Sequence, residues 1–527
     1  MAESVQCLTL SDTYARVARY CRNRPAVVEG DRAITFGELD EQTNRLAYGL
    51  RRLGITHGDR VALLSFNSLE YLVCIGAVAR LGAILVPVNY RLQPSEIAFI
   101  LEDSEARLFF VQPSFLSVIA EIKHSLPALQ HTVVFGEVPA GALTYSDLLQ
   151  EVTDTPDTAA PDPAVTEADL VALMYTAAID GRPRGAMMNH RSFVYQNVQV
   201  GQVLGLTSED VYLNLLPLFH TMDLSFALAA LHCGATNVIL SHFDAQAATH
   251  AIELHHVTVI AEFAPMAARI LEVAGEKGVD LSSVRTIFGL DSRATVQAYL
   301  ERFPNVSWYC GYGQTETHGL VAVAPIRSVA ELDLRPGMPG RPCPLNVVRI
   351  VDERDQDVAP GEVGEIVVRG PNVTVGYWKQ SDETARMARN GWHHTGDLGR
   401  LDADGWLWFV DRKGEKDLIK TGGENVYPQE VERVLSQHPA VQQVCVIGVA
   451  DPQWSEAVKA VVVLKPAATA TAAELIEFCR QRMASYKKPR VVTFVASLPR
   501  TPAGAIDRQV VKRMYSSEHD PESEEGQ

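Results

Sequence analysis

GWHHTGDLGRLDADGWLWFVDRKGEKDLIKTGGENVYPQEVE, residues 391–432, is where one kind of sequence ends and another begins. GEIVVRG (364–370) before it and WLWFVD (406–411) within it are short alternating strands, and Asp404 with Gly405 marks a turn. That is the pattern of an antiparallel or barrel-like subdomain. Past Arg412 a small α+β unit is expected, with a helix at PQEVERVLSQHP (428–439) and strands at VQQVCVIGV (441–449) and AVVVL (460–464). A second helix follows at AAELIEFCRQRMA (472–484), and SSEHDPESEEGQ (516–527), with no apolar anchor, reads as a solvated acidic tail.

Upstream the texture is α/β. Thr35 and Glu38 have capping-box spacing, and Leu39, Leu46, Leu50 and Leu53 then lie along one helical face until Gly54. RVALLSF (60–66), an apolar helix through Gly82 and AILVPVN (83–89) read as strand, helix, strand, the pattern of a parallel sheet covered on both faces. HTVVFG (131–136) and ATNVIL (235–240) repeat the strand pattern, and DTPDTAAPDPAV (154–165) is a loop or linker before the strand DLVALMY (169–175). The fold class expected is α/β, a large N-terminal domain of parallel sheets plus a barrel-like subdomain, followed by a small α+β domain. The divisions expected are residues 1–411, 412–514 and a tail at 515–527.

A chain of 527 residues exceeds one ordinary core, and 47% hydrophobic with 21% charged residues is the composition of a folded enzyme. The net charge of -17 argues against nucleic acid or an anionic membrane as partner. Eight scattered cysteines without a CxxC pair make a zinc site unexpected and suit a reducing cytosol. Residues 1–20 have no basic region followed by an apolar one, and no later run has the roughly 18 apolar residues of a membrane span, so a cytoplasmic location is expected.

YGQTE (312–316), GEVGEIVVRGPNVTVGYW (361–378), GWHHTGDLG (391–399) and DRKGEKDLIKTGGENVYPQEVE (411–432) occur in that order. Together they resemble the superfamily of adenylate-forming enzymes, closest to its acyl-CoA synthetase branch. The resemblance implies a reaction in two halves. A carboxylate attacks the α-phosphate of ATP, then the thiol of coenzyme A attacks the acyl-adenylate. Between the halves a mobile C-terminal domain swings about a hinge. It further implies that Asp397 holds the ribose hydroxyls with help from Arg412, and that Thr176 and Gly313 belong to the nucleotide site. By the same resemblance Thr315 meets the α-phosphate and Glu316 meets magnesium, whose requirement the sequence leaves open. Gly289, Leu290, Asp291, Gly311 and Tyr312 match the positions around the adenine, with leucine and aspartate replacing the usual small residues. His220, closing LPLFH, matches the gate of the acyl site and pantetheine tunnel, and Met222, Phe226 and Phe263 are acyl-pocket candidates or plain core. Lys416 aligns with the hinge or is a solvated loop lysine, because the segment is about two residues longer than in the family. Gly422 and Gly423 match the glycines past which pantetheine threads, since a residue without Cβ allows close approach.

Two motifs depart from the pattern. The phosphate loop of the family reads roughly TSGTTGxPKG; here residues 176–185 are TAAIDGRPRG. Ala177, Ala178, Ile179 and Asp180 remove hydroxyls and a permissive glycine and add an anion opposite phosphate, and Arg184 stands where lysine is usual. In LPRTPAGAIDR (498–508) Ala505 replaces the lysine that bridges carboxylate and α-phosphate, an interaction typically worth about 10² to 10³ in rate. Both losses fall on the first half-reaction. The expected activity is thioester formation from an acyl-adenylate, made by a separate adenylating enzyme, and coenzyme A. This resembles the non-adenylating acyl-CoA ligase type of platensimycin and platencin biosynthesis, which implies a bulky terpenoid acid. The alternatives are a complete ATP-dependent synthetase and a non-catalytic adenylate-binding protein.

Overall fold

The computed structural model describes residues 8–136, 141–150, 164–176, 183–334, 337, 340–413, 418–451, 454–501 and 505–516. Two large sheets form the N-terminal body. One has six strands, in the order His131–Val134, Leu108–Val111, Arg60–Leu64, Ile84–Pro87, Leu170–Thr176 and Arg184–Asn189, parallel except for the last pair. The other has nine, and its middle runs parallel through Ser307–Tyr312, Thr286–Leu290, Val259–Phe263, Val211–Asn214, Thr236–Ile239 and Pro25–Glu29.

The helices that share the core of these sheets show why they lie there. Leu69–Leu81 is apolar on every side and buried at every position except Glu70; Thr221–Cys233 is buried from Asp223 to Leu231. A helix apolar all round must be covered all round, which the space between two sheets provides. Phe36–Arg52, by contrast, is amphipathic and starts at the expected capping box: Glu38 N donates to Thr35 Oγ1 at 3.2 Å, and Thr35 N donates to Glu38 Oε2 at 2.7 Å.

The barrel-like subdomain is a five-stranded antiparallel sheet built on Val347–Val351, Gly364–Arg369, Trp392–Leu401 and Leu407–Arg412. A fourth sheet comprises Glu424–Val426, Ile419–Thr421, Ser455–Leu464, Val441–Asp451 and Val491–Phe494. The helices Pro428–Leu435 and Ala472–Arg480 cover one face of it, and Arg508–Tyr515 packs with the cluster on the other. Among the described residues no strand pairing joins this sheet to the other three. The second of these helices is shorter than the sequence pattern suggests, because Arg482 to Ala484 leave the helix for the turn preceding Tyr486 and Lys487. The last helix includes Tyr515, which packs against Val511 and its neighbours and so lies inside the fold rather than in a tail. Most of the linker at 154–165 and the residues after 516 lie outside the described residues.

Candidate functional site

Three neighbouring parallel strands end together at Phe263, Leu290 and Tyr312. The space beyond the carboxyl ends of such strands is the usual ligand crevice of an open α/β sheet. Gly289, Leu290 and Asp291 form one side of it, and Gly311, Tyr312 and Gly313 lie on the next strand end. Leu290 is exposed. Tyr312 stacks on Phe409 with ring centroids 6.3 Å apart, bringing the antiparallel sheet over the crevice.

Asp397 comes from that sheet and is nearly buried. Its Oδ2 accepts from Tyr312 Oη at 2.8 Å and from Gln314 Nε2 at 2.6 Å, while Oδ1 lies 3.8 Å from Arg412 Nε. Asp397 and Arg412 are paired across adjacent strands, so the sequence spacing of TGDLG and DRK becomes a direct contact. Oδ1 retains the acceptor capacity that a diol would use.

Thr315 and Glu316 lie in one turn of 3-10 helix after the strand. Glu316 Oε1 accepts from Tyr377 Oη at 2.6 Å. Arg184 pairs with Glu383 at 2.7 Å and sits over the Tyr377 ring. Thr176 ends its strand directly opposite Arg184. Ala177 to Asp180 lie outside the described residues, as does Lys416.

The acyl-pocket candidates separate in the structure. Met222 and Phe263 are half-buried on the edge of the main core, whereas Phe226 is fully buried between Tyr212 and Phe288. His220 caps the N-terminal end of helix Thr221–Cys233, and its Nε2 lies 3.2 Å from Glu424 Oε1. Arg91 binds the same carboxylate. Burial opposes ionisation of Glu424, but His220 and Arg91 outweigh it and hold its carboxyl down to about 2.

Glu424 follows the glycine pair directly. Gly422 and Gly423 both have left-handed backbones, φ +57° and +83°, and a Cβ on Gly423 would lie 3.3 Å from the Phe263 ring. The glycine loop of the small domain is thus laid against the strand end that carries Phe263. Trp454 covers Gly422 from the other side, with Arg490 over its indole at 4.5 Å. A second contact between the domains is Lys487, 3% exposed, which bridges Glu430 at 2.7 Å and Glu96 at 2.6 Å. Ala505 is exposed in the turn before helix Arg508–Tyr515.

Arg91, Glu424, Glu96, Lys487 and Tyr377 were not singled out from the sequence. Glu424 and Tyr377 stand inside quoted strings, GGENVYP and VTVGYW, so a signal was present for them. Nothing local marks Arg91, whose partner is 333 residues away. Among the described residues no cluster of three metal-ligating side chains occurs, and no helix is long and apolar enough to cross a membrane.

The AMP-binding enzyme family matches residues 14–378, and the AMP-binding enzyme C-terminal domain matches residues 430–505. This chain belongs to the AMP-binding enzyme family. It is similar to a feruloyl-CoA synthase from Amycolatopsis sp, at 38% identity over 95% of this chain and 98% of the relative. An amide bond synthetase from Marinactinospora thermotolerans has the same fold at TM-score 0.87 and 26% identity, covering 97% of this chain and 100% of that one. A double mutant of the o-succinylbenzoate CoA synthetase of Bacillus subtilis, bound to its product analogue OSB-NCoA, matches at TM-score 0.82, with 29% identity over 95% of this chain and 98% of that one. Bound to its acyl-adenylate the same enzyme matches at 0.68, with 30% identity over 95% of this chain and 97% of that one.

Proposed function

We propose that this protein is an acyl-CoA ligase that carries out thioester formation from a ready-made acyl-adenylate and has lost the adenylation half of its family's reaction. Residues 1–411 act as the body that holds the adenylate, and residues 412–514 as the domain that delivers coenzyme A. In the step performed, the sulfur of coenzyme A attacks the acyl carbonyl carbon. A carbon–sulfur bond forms, the carbon–oxygen bond to phosphate breaks, AMP leaves with the electron pair, and the thiol proton is released. Asp397 with Arg412 would hold the ribose, Gly289 to Asp291 with Tyr312 the adenine, and Gly422 with Gly423 the pantetheine arm beneath His220. The half-buried Met222 and Phe263 suit a hydrophobic acid. Glu316, whose other oxygen takes no donor from the described residues, would hold a magnesium ion, and that ion would neutralise phosphate charge.

Two features support the docked, thiol-accepting arrangement: the Arg91–Glu424–His220 contact, and the better match to the product-analogue complex of a double mutant of the Bacillus subtilis enzyme than to the acyl-adenylate complex. The loss of adenylation rests on one observation above all. Arg184, the cation that the altered phosphate loop TAAIDGRPRG retains at the usual lysine position, is already paired with Glu383, while Ala505 offers no cation in its place. A supply of acyl-adenylate then requires a separate adenylating enzyme. The relatives named as CoA synthases favour a complete ATP-dependent synthetase as the second reading.

Acid-dependent exchange of labelled pyrophosphate into ATP tests this, because it reports adenylation alone. The protein should show none above background over a panel of hydrophobic acids. Ala505→Lys should restore a small part of it, since the phosphate loop remains defective and the two defects act on one transition state. Robust exchange by the unaltered protein would favour the complete synthetase.

A further inference from the structure

Glu262 is a fully buried acid one residue before the end of strand Val259–Phe263. The strand register sets it directly opposite Gly289. Its carboxyl occupies the space where a side chain at 289 would be: a Cβ there would lie 2.0 Å from Glu262 Oε1. Asp291, two residues on, turns its carboxyl toward Glu262. Glu262 Oε2 accepts a long bond from Ala267 N at 3.4 Å, and Asp291 Oδ1 accepts from Ser292 N at 2.5 Å. The other two oxygens, Glu262 Oε1 and Asp291 Oδ2, are buried and receive no donor from the described residues.

The described surroundings offer no counter-charge to Glu262. From helix Met266–Lys277 only the Ala267 amide reaches the pair, and from helix Arg293–Arg302 Tyr299 gives its hydroxyl to Ala267 O at 3.0 Å. On strand Ser307–Tyr312, Trp308 donates to Gly289 O at 3.1 Å, and the buried Cys310 thiol is pushed up to about 12 by desolvation, with Glu262 adding to it. Among the described residues no cationic side chain acts on Glu262. Two facing carboxylates in such a site cannot both stay ionised; one proton shared between them turns repulsion into a strong charge-assisted hydrogen bond.

We propose that Glu262 carries a proton which it donates to Asp291, and that this acid–carboxylate pair clamps the ends of two neighbouring strands so that residues 289–291 are held in place to receive adenine. The proposal rests on the nucleotide-binding reading above, and it accounts for the departure from small residues at Asp291. Glu262 and Asp291 are positioning residues. Burial, then the Asp291 charge, raise the Glu262 carboxyl well above its ordinary 4.5. The clamp is therefore complete in acid, weakens as pH rises above that ordinary value, and is lost as pH passes through the raised one.

Two measurements on the full chain test it. Infrared spectra at pH 7 should show a protonated-carboxyl C=O band in the unaltered protein that is absent from Glu262→Gln, which keeps a donor toward Asp291 but cannot titrate. AMP affinity of the unaltered protein should fall with rising pH in step with the loss of that band, by about tenfold for each further rise of one in pH once the carboxyl is mostly ionised. Glu262→Gln should bind AMP at pH 7 about as well and change little with pH, and Asp291→Asn should be equally flat. Absence of the band in the unaltered protein overturns the shared proton. A band accompanied by parallel AMP profiles in the protein and both variants overturns the positioning role. A band with no AMP binding at any pH contradicts the nucleotide reading itself, and the positioning role with it.

Discussion

At Asp397, Tyr312 and Gln314 donate to one carboxylate oxygen and leave the other toward Arg412. Asp397→Asn keeps the size of the side chain but presents an amide to two donors and to the ribose it is proposed to hold. Acyl-adenylate affinity should fall by about 1.5 to 3 kcal/mol for each charged hydrogen bond lost, with the thermal midpoint little changed. Calorimetry on the folded variant with unchanged affinity would refute the assignment. Glu424 makes a different prediction, because it touches the domain contact and not the nucleotide. Glu424→Gln weakens the attraction to Arg91 and His220, so thioester formation should slow by about tenfold while AMP binding holds, a hydrogen bond to a charged group being worth about 1.5 to 3 kcal/mol. Equal losses in both readouts would place Glu424 in the nucleotide site instead. The contact is also acid-labile. It is fully present above the ordinary carboxyl value of 4.5 and is lost as pH falls through about 2.

At the scale of elements, the site is a set of strand ends and one glycine loop. Residues 289–291 and 311–313 lie at the ends of adjacent strands of one sheet, Asp397 within one strand of another sheet faces Arg412 at the end of the next, and Tyr312 on Phe409 joins the two. The glycine loop is the piece that the small domain lays against Phe263. Gly423→Ala would force a side chain into a left-handed backbone, at a cost of about 1 to 2 kcal/mol, with its Cβ 3.3 Å from the Phe263 ring. Stopped-flow release of AMP from acyl-AMP and coenzyme A should slow several-fold, with AMP affinity unaltered. An unchanged rate would mean that pantetheine does not pass this loop.

Across the whole molecule, what the sequence made legible was local. The parallel core could be read from short apolar strands alternating with helices and the antiparallel sheet from GEIVVRG and WLWFVD, while YGQTE and TGDLG mark the crevice proposed to take the nucleotide, because each lies within one or two consecutive elements. Contacts between domains could not be read. Arg91 with Glu424 and Lys487 with Glu96 join residues 333 and 391 apart, and each is an ordinary surface charge until the small domain covers it. Phe226, a candidate for acyl pocket or plain core, is packed under Phe288, a distinction that its place in the sequence does not carry. Glu262 was invisible for a simpler reason, since a lone acid at a strand end gains meaning only from the glycine and the aspartate on the next strand.

The central claim is that one half of the reaction has been lost and the other kept. A single quench-flow comparison tests it: purified protein with synthetic acyl-AMP and coenzyme A, beside the same protein with the free acid, ATP, magnesium and coenzyme A, over a panel of hydrophobic acids. Rapid, thiol-dependent conversion of acyl-AMP to acyl-CoA is expected, with little product from acid and ATP, a difference of about 10² or more if one bridging cation is missing. Comparable rates from the two substrate sets would contradict it and leave a complete ATP-dependent synthetase, and no turnover from either would leave an adenylate-binding protein without catalysis.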